Sequence, residues 1–269
     1  RSQKFGFFIR RLYGLVTRFL MQSTVDAERA VRLGAPSQRV SVSGNLKYDI
    51  GDASESPKLA EIAKSLDETF ALNSSVLIVA GSTSEGEEEL LLKSFEQLRQ
   101  SVPARLLIAP RHPERFEAVA KLIEGSHLNW VRRSADTGSK DAGVILLDSI
   151  GELAALYRFA SVVFVGGSLV AKGGHNILEP ALFAKPIIVG PHMQNFREIT
   201  TEFLRRKAVI QIEATNANEQ VSELSRTFAE LLGNRQRAQQ LGANARQAIE
   251  DNRGATARTV AVIAELINK

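Results

Sequence analysis

The chain has 269 residues, 44% of them hydrophobic and 24% charged, with a formal net charge of +4. That balance predicts a soluble globular protein, long enough for one large domain or two modest ones. The absence of cysteine and the four scattered histidines exclude disulfide staples and thiolate metal sites and leave no HExxH-type pair, so no metal site is predicted.

The charge is unevenly placed. Residues 1–20 carry Arg1, Lys4, Arg10, Arg11 and Arg18 and no acid, interleaved with Phe5, Phe7, Phe8, Tyr13 and Phe19. A helix is predicted over residues 5–20, with two readings open. It is either a patch for phospholipid headgroups or a helix cut from a larger domain, its rings without their partners. No apolar run approaches the roughly 20 residues of a spanning helix, and no leader pattern is present. The start at Arg1, without an initiator methionine, reads as that of a fragment.

Phe19 to Gln22 reads as a short strand. Ser23 or Thr24 then caps a helix over Val25–Leu33 that Gly34 ends. Val40 to Ser43 is a second short strand, leading into Gly44–Asp49. Residues 51–58, GDASESPK, are turn formers and read as a linker. From there apolar strands at Val76–Ala80, Arg105–Ala109, Val144–Leu147, Ser161–Val165, Pro186–Val189 and Val209–Ile212 alternate with helical stretches. This predicts an α/β fold with a doubly wound parallel sheet, because the crossovers must cover both faces. Helices over Asn218–Leu232, Arg235–Asp251 and Ala255–Asn268 close the chain.

Ligands of such sheets lie beyond the carboxyl ends of the strands, so the loops there carry the functional signal. After the first strand, Ser84 and Glu87 form a capping box, and Gly81, Ser82 and Thr83 are small residues able to line a pocket. After the second, Arg111 is either a phosphate clamp or a solvated loop cation, with Pro113 at a first helical position. After the third, Asp148 or Ser149 caps a helix holding Glu152 in its first turn. The fourth loop has two glycine pairs, Gly166-Gly167 and Gly173-Gly174, before His175-Asn176-Ile177-Leu178-Glu179. It reads as a helix start whose free N–H groups face an anion, with Glu179 placed to accept ribose hydroxyls. The plain alternative is an ordinary strand-to-helix turn. His192, after the next strand, is either near a sugar or a turn residue.

Five segments, in order, resemble those of the 3-deoxy-D-manno-octulosonic acid (Kdo) transferases of lipopolysaccharide synthesis. They are Gly44–Asp49 (GNLKYD), Gly81–Glu88 (GSTSEGEE), Ala109–Phe116 (APRHPERF), Gly166–Pro180 (GGSLVAKGGHNILEP) and Gly190–Ile199 (GPHMQNFREI). The resemblance covers most of the chain from about Ser41 onward. It implies the Rossmann-like C-terminal half of a GT-B glycosyltransferase, with residues 1–50 a remnant of the N-terminal acceptor domain. Residues 51–252 would be the donor domain and 253–269 a helix packing back on the N-terminal domain. The implied reaction is inverting transfer of Kdo from CMP-Kdo to lipid A precursor, on the cytoplasmic face of the bacterial inner membrane. No cofactor, metal or nucleic acid is implied. Pro110 and Arg111 would contact CMP, Ile150, Gly151 and Glu152 would line the cytidine pocket, and Asn176, Ile177, Leu178 and Glu179 would hold phosphate and ribose. Lys47 matches a lysine that stabilises transition-state charge. Ser84 stands where many members have His, and Ile177 where many have Pro. The family's catalytic glutamate has no counterpart in this chain, so the expectation is a donor-binding portion inactive on its own. Two other functions stay open, a sugar-nucleotide epimerase of the same fold using UDP and a non-catalytic nucleotide-binding module.

Overall fold

The computed structural model describes residue 9 and residues 11–51, 56–135 and 140–268. It divides into two compact units, residues 1–51 with 249–269, and residues 52–248.

In the smaller unit, most of the expected opening helix lies outside the described residues, and residues 11–14 are helical. Strands β1 (Phe19–Met21) and β2 (Val40–Val42) pair in parallel across α1 (Thr24–Arg32). Ser23 starts α1 by accepting the Asp26 N–H at 3.1 Å, which removes one of the four orphan donors of a helix start. Phe19, Ala30 and Ala35 form a small core, with the Tyr13 ring edge-on to Phe19 at 5.1 Å. The end of the GNLKYD segment serves this unit too. Asp49 accepts the Gly254 N–H at 2.6 Å and also the Thr256 N–H, at the start of the helix Ala255–Ile267. Desolvation opposes the Asp49 charge, and these N–H groups overcome it, holding the carboxyl below its usual value. Arg258 of the same helix donates through Nε to the Ser43 carbonyl at 2.8 Å.

The larger unit follows the predicted alternation. Its elements are α2 (Pro57–Phe70), β3 (Leu77–Thr83), α3 (Glu87–Leu98), β4 (Arg105–Pro110), α4 (Phe116–Gly125), β5 (Trp130–Arg132), β6 (Val144–Leu146) and α5 (Leu153–Leu156). There follow β7 (Ala160–Val165), α6 (Leu178–Leu182), β8 (Ile187–Val189), α7 (Arg197–Arg205), β9 (Ile210–Gln211), α8 (Ala217–Gly233) and α9 (Arg235–Glu250). All seven strands are parallel, in the order β5-β6-β4-β3-β7-β8-β9. Helices on both faces bury the sheet, so Leu77 to Ala80 and Val162 to Phe164 are all fully buried. This is why those runs are continuously apolar rather than alternating. The edge strand β5 was not anticipated; only Trp130 and Val131 of its three residues are apolar, too little for a strand pattern.

From β3 the chain moves to β4, goes on to the edge strand β5, comes back to β6 between those two, and then crosses to place β7 on the other side of β3. The strand order therefore reverses between β3 and β7. The loops leaving these two strands diverge there, which opens a crevice at the carboxyl edge.

Candidate functional site

A cavity of about 460 Å³ lies at that switch point, within the range of small-ligand sites. Loops following five strands contribute to it. Ser82 comes from the end of β3, Arg111 from the loop after β4, and Gly151, Leu153, Ala154 and Tyr157 from the segment after β6. Gly174, His175, Asn176 and Glu179 follow β7, and Asn195 and Phe196 follow β8.

Two adjacent carboxylates at the start of α3 hold these loops in place. Glu87 is fully buried. Its Oε2 accepts the N–H groups of Ser84 (2.8 Å) and Gly167 (2.7 Å), and its Oε1 those of Ser168 and Leu169 (both 2.9 Å). Burial pushes this carboxyl up and the four N–H groups oppose the shift. With two donors on each oxygen there is no lone pair left for a proton, so the group is held as a carboxylate. Glu88, 1% exposed in its side chain, takes a bidentate pair from Arg115 (2.5 and 3.1 Å) and the Thr83 hydroxyl at 2.8 Å. Arg115 follows Arg111 in the same loop, and the Arg111 N–H itself donates to the Thr83 carbonyl at 2.9 Å. One helical turn thus fastens the β7 loop and the β4 loop to the end of β3.

Four expectations from the sequence change here. Ser84 and Glu87 do not form a capping box around a helix begun at Ser84, since α3 starts at Glu87 after Gly86. Only the Glu87-to-Ser84 backbone half is made, and the rest of that carboxylate spans 80 residues of sequence to the glycine loop. Thr83 does not face the pocket, because its hydroxyl is buried on Glu88. Several N–H groups of the glycine loop are turned inward rather than towards an anion. Those of Gly167, Ser168 and Leu169 go to Glu87, and those of Gly174 and His175 to the carbonyls of Gly167 and Gly166. The close approach of the loops needs glycine at 166, where a Cβ would collide with the Ser82 carbonyl. The helix after this loop begins at Leu178 rather than His175, its N–H accepted by Asn176 Oδ1 at 3.0 Å.

Of the residues singled out by sequence, Ser82, Arg111, Gly151, Gly174, Asn176 and Glu179 meet in the cavity. Asn176 Nδ2 donates to Glu179 Oε1 at 3.1 Å, which orients the carboxylate and leaves its other oxygen available. Pro110, Ile177 and Leu178 have buried side chains, in β4 and at the start of α6, and offer only backbone. Ile150 is 79% exposed. Glu152 is held by Arg133 through two contacts of 3.2 Å and by the Ser149 hydroxyl. Asp148 caps no helix. Burial opposes its charge, but Ser134 and Arg132 outweigh this and keep the carboxyl below its usual value, with Arg132 Nε at 2.7 Å. Lys47 lies exposed in the smaller unit. His192 donates its N–H to the Ser168 carbonyl at 2.9 Å, which gives it a turn role.

Sequence reading missed His175, Tyr157, Leu153, Asn195 and Phe196 as lining residues. Leu153 and Tyr157 are spaced i, i+4 across α5 and share a face, a signal present in the sequence. Burial, then the charges of Arg111 and His112, push the His175 imidazole down, so it is neutral at neutral pH. Its Nε2 is buried without a partner.

Residues 1–50 match a family model described as 3-deoxy-D-manno-octulosonic-acid transferase (kdotransferase). The 3-deoxy-D-manno-octulosonic acid transferase of Haemophilus influenzae is 33% identical over 262 residues, 96% of this chain and 59% of that protein. A bifunctional glycosyltransferase/methyltransferase of Fusobacterium nucleatum is 37% identical over 217 residues, 79% of this chain and 33% of that protein. The chain therefore spans somewhat over half, or a third, of the length of these relatives. Among solved structures, the C-terminal CMP-Kdo binding domain of WaaA from Acinetobacter baumannii superposes with a TM-score of 0.64 at 33% identity, over 71% of this chain and 98% of that one. A sheet with its crevice at the β3/β7 reversal, a third of its residues shared with that domain across nearly the domain's whole length, places the chain in the Kdo transferase family of glycosyltransferases.

Proposed function

We propose that this chain is the donor-binding part of an enzyme that transfers Kdo from CMP-Kdo to a lipid A precursor in lipopolysaccharide synthesis, at the cytoplasmic face of the bacterial inner membrane. The observation that carries this reading is a single cavity holding both a guanidinium, Arg111, and an oriented carboxylate, Glu179. A cytidine monophosphate has the complementary groups, a phosphate for the first and a ribose diol for the second. The name of the Acinetobacter domain, a CMP-Kdo binding domain, supports the choice of nucleotide.

In this reading the acceptor hydroxyl attacks the anomeric carbon of Kdo and the bond to the CMP phosphate breaks with inversion. The hydroxyl proton passes to a base that this chain does not supply. CMP leaves as an anion, and Arg111 is the cation of the cavity assigned to compensate its charge. The backbone N–H groups of Gly167, Ser168, Leu169, Gly174 and His175 take no part, because they are spent on Glu87 and neighbouring carbonyls. No metal or cofactor is called for, since a protein cation supplies the positive charge.

Thermal melting with nucleotides tests the choice of ligand. CMP raises the melting temperature by mass action, and UDP at the same concentration does so less. A larger shift with UDP overturns the CMP assignment in favour of a UDP-sugar enzyme. The chain alone, given CMP-Kdo and lipid A precursor, is expected to transfer no sugar; measurable transfer contradicts the donor-part reading.

A further inference from the structure

Tyr157 lines the cavity although the residue as a whole is only 2% exposed. No hydrogen bond to its hydroxyl is found among the described residues. Its surroundings explain this. A Cβ built on Gly81 would lie 2.7 Å from the hydroxyl oxygen and 3.3 and 3.4 Å from the Leu153 methyl groups. The hydroxyl therefore rests between the bare backbone of β3 and an aliphatic side chain, and glycine at position 81 is what makes room for it. Phenylalanine would fill the same space without stranding a polar group, and burying a hydroxyl with no partner is unfavourable. Tyr157 lines the cavity, and a ligand there would give the hydroxyl the partner it lacks.

Glu179 shares that cavity and is close enough to raise the Tyr157 phenol further, after burial, above its ordinary value. The phenol is thus a neutral donor near a carboxylate, one of whose oxygens is already taken by Asn176. A phosphate would be repelled by Glu179. A pair of neighbouring hydroxyls fits, because each can give its proton to the carboxylate and still accept one.

We propose that the Tyr157 hydroxyl is a specificity-determining donor that, together with Glu179, reads the vicinal diol of the ligand's ribose. The inference rests on the nucleotide reading above and adds to it a residue that touches the sugar from the floor of the cavity.

The test is calorimetric titration of CMP, 2′-deoxy-CMP and 3′-deoxy-CMP into wild type and Tyr157→Phe, with melting curves of both apo proteins. Losing one hydrogen bond to a sugar hydroxyl is expected to weaken CMP about five- to tenfold in Y157F. For one of the two deoxy nucleotides, the one lacking the hydroxyl that Tyr157 meets, both proteins should bind within about twofold of each other, as a closed double-mutant cycle requires. The apo variant should melt no lower than wild type, since only a stranded hydroxyl is lost. Unchanged CMP binding in Y157F overturns the inference. So does equal weakening of all three nucleotides, or a fall in apo melting temperature, each of which would mean the hydroxyl serves the fold. If wild type binds none of the three, the nucleotide reading fails and this inference with it; if wild type binds but the pattern is missing, only this inference fails.

Discussion

Glu87→Gln is the substitution that bears most directly on how the cavity is built. The change keeps the shape of the side chain and replaces one carboxylate oxygen by an NH2 group. Each oxygen of Glu87 now accepts two backbone N–H groups, at 2.7 to 2.9 Å. Whichever way the amide settles, two of those donors will face another donor. With about 1.5–3 kcal/mol for each hydrogen bond lost to a charged acceptor, the cost comes to roughly 3–6 kcal/mol, a large part of the 5–15 kcal/mol that holds a typical domain together. At roughly 2–4 °C per kcal/mol for a domain of this size, the melting temperature should fall by roughly 6–24 °C. Differential scanning calorimetry reads the shift, and hydrogen exchange at Gly167 to Leu169 reads where the loosening lies. The two loops that Glu87 joins should exchange faster before the sheet does. A variant melting within about 2 °C of wild type, with those amides still protected, would refute the argument that this carboxylate pins the glycine loop.

Arg115→Ala strands the buried Glu88 carboxylate and should cost about 3–5 kcal/mol in urea unfolding, part of it regained when Glu88→Gln is added. Arg111 is exposed, so Arg111→Ala should leave the melting temperature unchanged while weakening CMP roughly 10- to 100-fold by calorimetry. Acid unfolding follows from carboxyls held below their usual values, Asp49 and Asp148 by hydrogen bonds that outweigh their desolvation, and Glu202, down to about 2, chiefly by its bond from Arg205. Because these folded-state values are depressed, the stability they give is present above the unfolded value of about 4 and lost as the pH falls through the folded values. Melting temperature should decline below about pH 4, and Asp148→Asn should flatten that decline.

The sheet was legible because its strands are buried on both faces, which writes them as unbroken apolar runs such as Val162 to Val165. The loops at their carboxyl ends were legible too, since Gly166 and Arg111 stand directly after those runs and Glu179 follows in the first turn of the next helix. What the sequence hid was where polar groups spend their hydrogen bonds. Ser84 and Glu87 have the spacing of a local cap, yet most of the carboxylate's partners lie some 80 residues away, beyond the reach of any local rule. The N–H groups of Gly167, Ser168 and Leu169 are spent for the same reason. Tyr157 escaped notice because its value comes from Gly81, a neighbour only across the fold. Asp49, part of a motif that read as functional, fastens the C-terminal helix.

The central claim is that the crevice between the β3 and β7 loops receives a cytidine monophosphate, and a crystal structure grown with CMP tests it most directly. The account predicts nucleotide density in the cavity, with phosphate oxygens at the Arg111 guanidinium and both ribose hydroxyls within hydrogen-bond reach of Glu179. Density for CMP anywhere else on the chain, or in the cavity with its ribose turned away from Glu179, would contradict it.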